Sequence, residues 1–400
     1  MQRVVVAQRL MKSQRSGKSM TNVLVFGAGI VGSVIAEDLV SSGYDVTVAD
    51  LSNDALARVV ERSNGAIAIE CVDCSDSKEL TRLAEQADIV FGALPSWLGL
   101  NALETVIRCG KNYCDISFMA EDPRQFDALA KEYGVTCILD FGVAPGMSHL
   151  LCAHAAHLLD SCERLEIIVG GLPRERTWPF EYKASFSPRD VIEEYLRPAR
   201  LVEHGKVVTR AALSECVLLD LPGIGSLEAF NSDGLRTLCD TLDVPFIRER
   251  TLRYPGHAEQ MRMLRTAGFF SEVKMQIDEA MVSPIDLTSK ILIDSWRYKP
   301  GEEDLTVMQV EAEGMFGEQH VRIRWDLLDY YDSVNAQSSM ARTTGFPAAA
   351  MGRMIIDGTI TAPGVYPPEF FGSNEMVVGR LLAELAERNV EYKKTMEPII

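Results

Sequence analysis

The sequence lacks any apolar run approaching the ~20 residues that a membrane-spanning helix needs, so it predicts no such helix and no membrane association. It is also poor in basic residues, with 40 Lys and Arg against 57 Asp and Glu, for a net charge of −17. An acidic surface repels polyanions, which argues against nucleic acid or an anionic membrane as a partner. We expect a small-molecule substrate instead, and the charge is compatible with a cationic one.

The sequence also lacks a complete metal-binding motif. The nine cysteines are odd in number and irregularly spaced, which indicates reduced thiols and a cytoplasmic location. Cys71 and Cys74 form a C-x-x-C pair, but no second pair exists to complete a zinc site. His154 and His157 share a helix face without an acidic residue at ligand spacing. No metal is predicted.

The first nineteen residues contain no acidic residue and five basic ones. This composition fits either a transit-like leader or an extended start of the chain. We therefore treat residues 1–20 as a separate segment and expect it to be disordered.

The most informative motif follows directly. A short apolar strand ends at Gly27, and the glycines Gly27, Gly29 and Gly32 form G-x-G-x-x-G before a helical pattern. In dinucleotide-binding domains these glycines allow a tight turn, close approach of a pyrophosphate and helix–strand packing. Ile30 and Val31 open the helix, whose N-terminal N–H groups attract phosphate. We predict that this loop binds a dinucleotide cofactor.

Asp50 favours NAD over NADP as the cofactor. It ends the second predicted strand, 21 residues after Gly29, where a carboxylate bonds the adenosine ribose and repels a 2′-phosphate. No arginine follows it in Leu51–Asn53, and an incidental Asp is the weaker interpretation. Other residues are predicted to line the cofactor because they follow strand ends: Asp73 near the adenine, and Leu94, Pro95, Ser117, Val143 and Pro145.

Strands and helices alternate up to residue 142, which predicts a doubly wound, parallel Rossmann sheet of α/β class. After residue 142 the alternation ends, and strands such as Leu165–Val169 and Tyr182–Ser187 indicate an α+β domain with a mixed sheet. We place a Rossmann domain at 21–142, a substrate domain at 143–337 and a C-terminal segment at 338–400.

Five blocks of sequence resemble the saccharopine dehydrogenase-like family: Asp140–Met147, Gly170–Pro173, Leu227–Leu238, Thr251–Glu259 and Gly364–Glu369. Within that family they look closest to the NAD-dependent L-lysine 6-dehydrogenases. The resemblance implies that the second domain carries the substrate site and that the C-terminal segment packs back on the first. It also implies oxidation of the lysine ε-amine to an imine, which water converts to the semialdehyde. We further expect a homo-oligomer, a dimer.

Two alternatives stay open. Saccharopine reductases of the family use NADP as a rule and carry an arginine near the end of strand two, where this chain has Asp50. They also tend to carry an Asn-Arg-Asp run where this chain has Asn231-Ser232-Asp233. The second alternative is a non-catalytic, NAD-binding regulatory protein.

The polar loop from Asn231 to Thr237 supplies the substrate candidates. Arg236 is predicted to bind the α-carboxylate with help from Thr237, the alternative being an arginine on a solvated helix face. Asp233 is predicted to hold the α-ammonium group or to cap the next helix. Glu181 and Tyr182, which follow Gly170–Pro173, are a second candidate for binding an amine. The alternative is an ordinary pair of residues at a strand edge.

The proton acceptor has two candidates. The amine must be neutral when hydride leaves, and a free ε-amine has a pKa of ~10.4. His257 follows a Tyr-Pro-Gly turn at a helix start, and its ordinary pKa suits a base near neutrality, although a packing role is the alternative. Asp115 closes the fifth strand near the expected nicotinamide end and is the rival.

Overall fold

The computed structural model describes residues 20–184 and 188–399, so the segment 1–19 lies outside the described part of the chain. The chain divides into two compact units. The first comprises the described residues up to Gly142 together with Thr344–Pro367. The second comprises Val143–Thr343 and the described residues from Pro368 onward.

The strands are numbered along the chain. Their bounds are β1 Asn22–Phe26, β2 Asp45–Asp50, β3 Ala68–Cys71, β4 Ile89–Gly92, β5 Asn112–Asp115, β6 Thr136–Ile138, β7 Ser161–Pro173, β8 Ala199–Glu203, β9 Lys206–Arg210, β10 Val217–Leu221, β11 Gly225–Asn231, β12 Phe246–Arg253, β13 Met275–Ile277, β14 Ala280–Val282, β15 Asp304–Phe316, β16 Gln319–Tyr330, β17 Gly364–Tyr366 and β18 Tyr392–Pro398.

The α-helices are numbered in the same way. Their bounds are α1 Ile30–Ser41, α2 Asn53–Arg62, α3 Ser77–Ala84, α4 Ser96–Arg108, α5 Asp127–Tyr133, α6 Met147–Leu158, α7 Pro188–Leu196, α8 Leu238–Thr241, α9 His257–Thr266, α10 Pro284–Trp296, α11 Ser339–Ile356 and α12 Glu375–Ala386.

The first unit is built on a parallel sheet in the order β17-β6-β5-β4-β1-β2-β3. Strands β1 and β4 are buried almost throughout, as expected of central parallel strands covered on both faces. The strand order reverses between β1 and β4, which is where such sheets bind ligands. The predicted Rossmann sheet is confirmed.

The second unit contains a mixed sheet, as predicted. Its main path runs β10-β11-β12-β7-β15-β16-β18, with β8 paired to β12 and β9 paired to β8. β12 lies parallel to β7, whereas the long strands β15 and β16 are antiparallel. A separate two-stranded sheet, β13–β14, lies between α9 and α10 in the chain.

Two expectations differ from the structure. Of the segment 338–400, only Thr344–Pro367 belongs to the first unit, because β17 pairs with β6 while β18 pairs with β16. The strand expected at Tyr182–Ser187 is not formed over its described part, where Ala184 makes one isolated bridge to Arg297. Residues 185–187 lie outside the described chain.

Across the described residues, the longest apolar helical stretch falls short of what a membrane span requires.

Candidate cofactor and substrate sites

The glycine loop joins β1 to α1, and each glycine meets different surroundings. Gly27 has a φ of +101°, and a Cβ there would collide with the Ala93 carbonyl. A Cβ on Gly32 would collide with the Gly27 carbonyl, so these two positions require glycine for the fold itself. Gly29 is exposed and has ordinary extended torsions, and no atom lies within 4 Å of the place that a Cβ would take. Open space at this glycine is what a pyrophosphate needs.

Two helix N-termini flank the point where the strand order reverses. Gly29 and Pro95, the N-cap residues of α1 and α4, give no side-chain capping bond, and neither first turn contains an acidic residue. In contrast, α2 and α3 are capped by Ser52 and Asp76, whose side chains accept backbone N–H bonds. The N-terminus of α1 is therefore open to an anion, and the residues present fit a dinucleotide.

Asp50 ends β2 and ties that strand to the glycine loop. Its Oδ2 accepts a bond from the Ala28 N–H at 2.7 Å, and its Oδ1 accepts one from the Ser52 N–H at 2.7 Å. Each oxygen keeps a second lone pair, which leaves the carboxylate able to accept a ribose hydroxyl. The ribose role stays a prediction.

The remaining cofactor candidates take varied positions. Ile30 and Asp73 are exposed, and hydrogen bonds from Ser75, first from its side chain and then from its backbone N–H, lower the pKa of Asp73. Leu94 and Ser117 are buried, and Pro95 and Val31 are half-buried. Val143 and Pro145 fall within the second unit. Cofactor contact at all of these positions stays a prediction.

Asp115, a candidate proton acceptor, is fully buried at the end of β5. Its oxygens accept bonds from the Tyr113 hydroxyl (2.7 Å), the Ser117 N–H (2.7 Å) and the Ser117 hydroxyl (3.0 Å). Burial raises its pKa to about 7 despite these bonds. Asp115 thus fixes Ser117 just beyond the end of β5. Proton acceptance by Asp115 stays a prediction.

In the second unit, the loop 231–237 rests on the carboxylate of Glu249 in β12. The Ser232 hydroxyl donates to Glu249 Oε2 at 2.7 Å and the Gly234 N–H donates to it at 3.2 Å. Glu249 is 3 % exposed, and a Cβ on Gly234 would overlap its carboxylate. Burial raises the pKa of Glu249 to about 8, with further contributions from the nearby carboxylates of Glu194 and Asp233.

Two more side chains fix the backbone of this loop. His149 of α6 donates from Nε2 to the Leu235 carbonyl at 3.0 Å. Arg200 of β8 donates to the Arg236 carbonyl at 3.0 Å, and its Nε lies 3.5 Å from Asp233 Oδ1. The loop is thus held in one conformation from three sides.

Arg236 lies in this held loop, 8 % exposed and with a left-handed φ of +47°. The alternative of an arginine on a solvated helix face is wrong, because Arg236 precedes α8 and is buried. Thr237 is buried as well and is the N-cap residue of α8, so Asp233 caps no helix here and pairs with Arg200 instead. Carboxylate binding by Arg236 and Thr237 stays a prediction.

Asn231 is fully buried at the end of β11, where its Nδ2 donates to the Ser214 hydroxyl at 3.1 Å. Glu181 is half-buried, and Arg176 donates to it at 2.7 Å. An amine ligand would compete with Arg176 for Glu181. The Asn231 bond uses its Nδ2 donor, and its buried Oδ1 has no hydrogen-bond partner among the described residues.

Tyr182 packs in a buried aromatic cluster rather than on a strand edge. The Arg253 guanidinium lies 4.5 Å from its ring centroid, and the rings of His257 and Trp296 lie 5.0 and 5.2 Å away. Arg253 is 4 % exposed and also donates to Glu194 at 3.0 Å. Tyr182 is therefore held by ring and cation contacts at a place where the sequence predicted a strand edge.

His257 does not have the surroundings of a general base. It is 2 % exposed, its Nδ1–H donates to the Phe180 carbonyl at 3.1 Å, and its Nε2 accepts from the Tyr195 hydroxyl at 2.8 Å. Burial, followed by the positive charge of Arg253, lowers its pKa to about 3. Both nitrogens are engaged inside the unit, so the structure favours the packing role that the sequence left open.

Glu249, Arg253 and Arg200 were missed by the sequence reasoning. Glu249, Thr251 and Arg253 alternate along β12, and all three are buried. Every second side chain of a strand lies on the same face. Polar residues at this spacing on the buried face of β12 are the signal that could have identified Glu249 and Arg253.

Comparisons with known proteins agree with this architecture. The family described as "Saccharopine dehydrogenase NADP binding domain" matches residues 23–138, and "Saccharopine dehydrogenase C-terminal domain" matches residues 142–390. Saccharopine dehydrogenase (NADP(+), L-glutamate-forming) of Saccharomyces cerevisiae is 23% identical over 87% of this chain and 93% of its own length.

Mitochondrial alpha-aminoadipic semialdehyde synthase of Bos taurus is 23% identical over 96% of this chain and 49% of its own length. The chain therefore spans about half the length of that relative. The solved apo structure of saccharopine dehydrogenase (L-Glu forming) from Saccharomyces cerevisiae superposes with a TM-score of 0.76 at 20% identity, covering 94% of this chain and 100% of the other. That likeness shows a shared fold.

The first unit thus carries a pyridine-nucleotide-binding domain, and the resemblance noted in the sequence is confirmed at the level of the family. This chain belongs to the saccharopine dehydrogenase family, whose two domain profiles together match most of its length.

Proposed function

We propose that this chain oxidises the ε-amine carbon of L-lysine with NAD, giving the semialdehyde and ammonia. The observation that carries the cofactor choice is Asp50, which is bonded to the glycine loop and is followed by no arginine in Leu51–Asn53. A fixed negative charge there opposes the 2′-phosphate of NADP. The Saccharomyces cerevisiae relative is named for NADP, whereas the proposal of NAD for this chain rests on Asp50.

The substrate choice rests on the second unit. Arg236 is buried in a loop held by Glu249, His149 and Arg200, which is a suitable setting for a charge-assisted bond to an α-carboxylate. The neighbouring Asn231-Ser232-Asp233 lacks the arginine that a substrate with three carboxylates would favour. An amino acid with one carboxylate fits this charge balance better.

The chemistry divides between cofactor and chain. When bound, NAD accepts the hydride that leaves the ε-carbon. The amine loses its proton before that step, and burial of the amine lowers its pKa and assists this loss. Water then adds to the imine carbon and ammonia leaves, so atoms and charge balance.

A second candidate is the saccharopine reaction, oxidation of saccharopine to glutamate and the semialdehyde with NADP. The names of the family profile and of the relatives favour it. Asp50 and the missing arginine favour the lysine reaction.

The deciding experiment is an assay of the purified chain with each cofactor and substrate. We expect NADH formation from NAD and L-lysine, between neutral pH and pH ~10, at a higher rate than from NADP. NADPH oxidation that requires both semialdehyde and glutamate would select the second candidate. Tight NADH binding without turnover on any amine would indicate a non-catalytic protein.

A further inference from the structure

Three side chains at the carboxyl end of β5 form one chain of hydrogen bonds. The Tyr113 hydroxyl donates to Oδ2 of Asp115 at 2.7 Å, and the Ser117 hydroxyl donates to the same oxygen at 3.0 Å. The Ser117 N–H donates to the other oxygen, Oδ1, at 2.7 Å. All three residues belong to the first unit. Oδ2 of Asp115 is therefore a proton-accepting atom that two hydroxyl groups contact at once.

These three residues differ in how close they come to the surface. Ser117 is 2 % exposed, whereas Asp115 and Tyr113 are 0 % exposed. A Cβ on Gly92, the last residue of β4, would overlap both the Asp115 carboxylate and the Tyr113 hydroxyl, so these two groups lie directly against the β4 backbone. The Ser117 hydroxyl is therefore the member of the chain that a ligand can reach.

Ser117 also lies at the edge of the sheet where a ligand is expected. The Ile116 N–H donates to the Gly92 carbonyl at 3.0 Å, which places Ser117 directly after the paired ends of β4 and β5. A Cβ on Gly99, in the first turn of α4, would lie 3.0 Å from the Ser117 Cβ. β4 is one of the two strands between which the strand order reverses, and sheets of this kind bind ligands beyond the carboxyl ends of such strands.

The charges around Asp115 suit a proton acceptor. Burial raises its pKa to about 7, the hydrogen bonds from Tyr113 and Ser117 oppose this rise, and the charge of Asp140 adds to it. The other titratable neighbours stay neutral, because burial raises the pKa of the Tyr113 hydroxyl and of the Cys114 and Cys137 thiols far above their usual ranges. Asp115 is thus the member of this group that gains or loses a proton near neutral pH.

We propose that Ser117 and Asp115 form a proton relay for the substrate amine, with Tyr113 as the residue that positions the acceptor. This inference rests on the proposed oxidation of the ε-amine. The Ser117 oxygen accepts a proton from the ammonium group while the Ser117 hydroxyl proton passes to Oδ2 of Asp115, so the amine and the carboxyl group both become neutral. The neutral amine then loses hydride from its ε-carbon to the cofactor. Asp115 returns its proton through Ser117 to solvent after the product leaves.

The first test removes each member of the relay in the full chain and measures NADH formation from saturating lysine and NAD. Ser117→Ala and Asp115→Asn should each lower kcat about a hundredfold, since positioned acid–base groups contribute about 10²–10⁴-fold. The double variant should stay within about threefold of the slower single variant, because both groups serve one proton transfer. Losses that multiply in the double variant would show independent roles and overturn the relay.

Matched variants separate the relay from a structural or cofactor-binding role of Ser117. Ser117→Cys keeps a group that donates and accepts a proton, and it should retain at least about ten times the kcat of Ser117→Ala. Ser63→Ala removes a half-buried hydroxyl at the end of α2 in the same unit and should leave kcat unchanged. The NAD affinity of Ser117→Ala should stay within about threefold of wild type. A kcat that Ser117→Ala does not lower, or a loss confined to NAD affinity, would overturn the proposal.

Tyr113→Phe tests the positioning residue through the pH profile. Asp115 must be ionised to accept a proton, so kcat/KM for lysine should rise with pH through about 7 in wild type. The Tyr113 bond favours the charged form of Asp115, so its removal should move this rise upward by at least about half a pH unit. Tyr133→Phe, at an exposed tyrosine of the same unit, should not move it. A rise that stays in place while kcat falls would overturn the positioning role of Tyr113.

Infrared titration of the carboxyl band measures the protonation of Asp115 without turnover. Wild type should show a protonated carboxyl signal that is absent from Asp115→Asn and that fades as the pH rises through about 7. In Tyr113→Phe the signal should fade at a higher pH. An active wild type whose Asp115 is already ionised at pH ~5 would overturn the relay alone. A wild type that forms no NADH from lysine would refute the proposed function, and the relay with it, so the two failures are distinguished.

Discussion

Two loops, each at the end of a strand, are tied down by one carboxylate. The glycine loop 27–32 of the first unit is held by Asp50, and the polar loop 231–237 of the second unit is held by Glu249. In both, the carboxylate accepts a backbone N–H of the loop. The surroundings differ: Asp50 is half-buried beside an open glycine, whereas Glu249 is almost fully buried and fills the space beside Gly234.

The difference shows two uses of one contact. At the glycine loop the tie fixes the backbone while Gly29 and the N-terminus of α1 stay open to a ligand. At the polar loop the tie is internal, and Glu249 positions residues such as Arg236 rather than meeting a ligand itself. The cost of the second arrangement is a buried acid whose ionisation disfavours the folded state.

The largest expected effect is on the pH dependence of the folding stability, because it follows from the burial of the Glu249 carboxyl group. Glu249 has a pKa of about 8 in the folded chain and about 4.5 when unfolded, so between these values the folded state binds more protons. Its favourable contribution is present below pH ~4.5 and is lost as pH rises through ~8. Glu249→Gln lacks this loss and should gain stability relative to wild type by on the order of 4 kcal/mol between pH 5 and 9, measured by urea unfolding.

Asp115 also has a raised pKa and contributes to the wild-type curve in the same direction, but it cancels in the difference between Glu249→Gln and wild type. A difference that stays constant with pH would show that Glu249 is ionised in the folded chain at pH 5 and that the buried tie is misassigned.

The next effect separates the glycines of the first loop. Gly29→Ala adds a Cβ into open space with unstrained torsions, so it should leave the melting temperature unchanged yet weaken cofactor binding about a hundredfold. Gly32→Ala collides with the Gly27 carbonyl and should lower both stability and binding. Calorimetric titration with NAD and thermal unfolding measure the two quantities.

Gly379→Ala is the control, since Gly379 lies in α12 with no atom near a Cβ. It should stabilise the chain by up to ~1 kcal/mol and leave NAD affinity alone. Cofactor binding that survives Gly29→Ala would remove the glycine loop from the cofactor site.

The two loops also show what could be predicted from sequence. The glycine loop depends on spacing within about twenty residues, and so its glycines, Asp50 and the parallel sheet were predicted correctly as structural features. The polar loop depends on contacts between distant segments: Glu249 follows Ser232 by 17 residues, and His149 precedes Leu235 by 86. No local pattern encodes such contacts, which is why Glu249 and Arg200 were missed and His257 was given a catalytic role.

Burial explains the remaining differences. The sequence shows that Tyr182 is aromatic and that His257 starts a helix. It does not show that the Tyr182 ring packs against both the buried Arg253 guanidinium and the His257 ring. Similarly, the sequence is compatible with Arg236 on a helix. In the structure it has a left-handed φ and is buried, in a loop to which other elements bond.

A smaller effect is expected at Arg236, which tests whether the polar loop binds the substrate while the glycine loop binds the cofactor. Arg236→Gln removes the charge and shortens the side chain, so it should raise the KM for lysine roughly thirtyfold, equivalent to about 2 kcal/mol, because one charge-assisted bond is lost. The affinity for NAD should not change. Arg164→Gln, at an exposed arginine of the same unit, should change neither quantity. An unchanged KM would leave Arg236 with a purely structural role.

Asp50 gives the smallest effect. Asp50→Ala removes the charge that opposes a 2′-phosphate and should reduce the preference for NAD over NADP by about fivefold, or ~1 kcal/mol. The ratio of kcat/KM for the two cofactors measures this preference. Asp54→Ala, at an exposed acid four residues further along, should leave the ratio as it is. If both variants keep the wild-type ratio, another residue selects the cofactor.

The most direct measurement of the central claim uses L-lysine carrying two deuterium atoms on its ε-carbon, incubated with NAD and the purified chain. Mass spectrometry of the nicotinamide product reports where the hydride came from. The proposed function predicts one deuterium in every NADH molecule formed and a semialdehyde that retains the other. NADH without deuterium, or no NADH at all, would contradict oxidation at the ε-carbon.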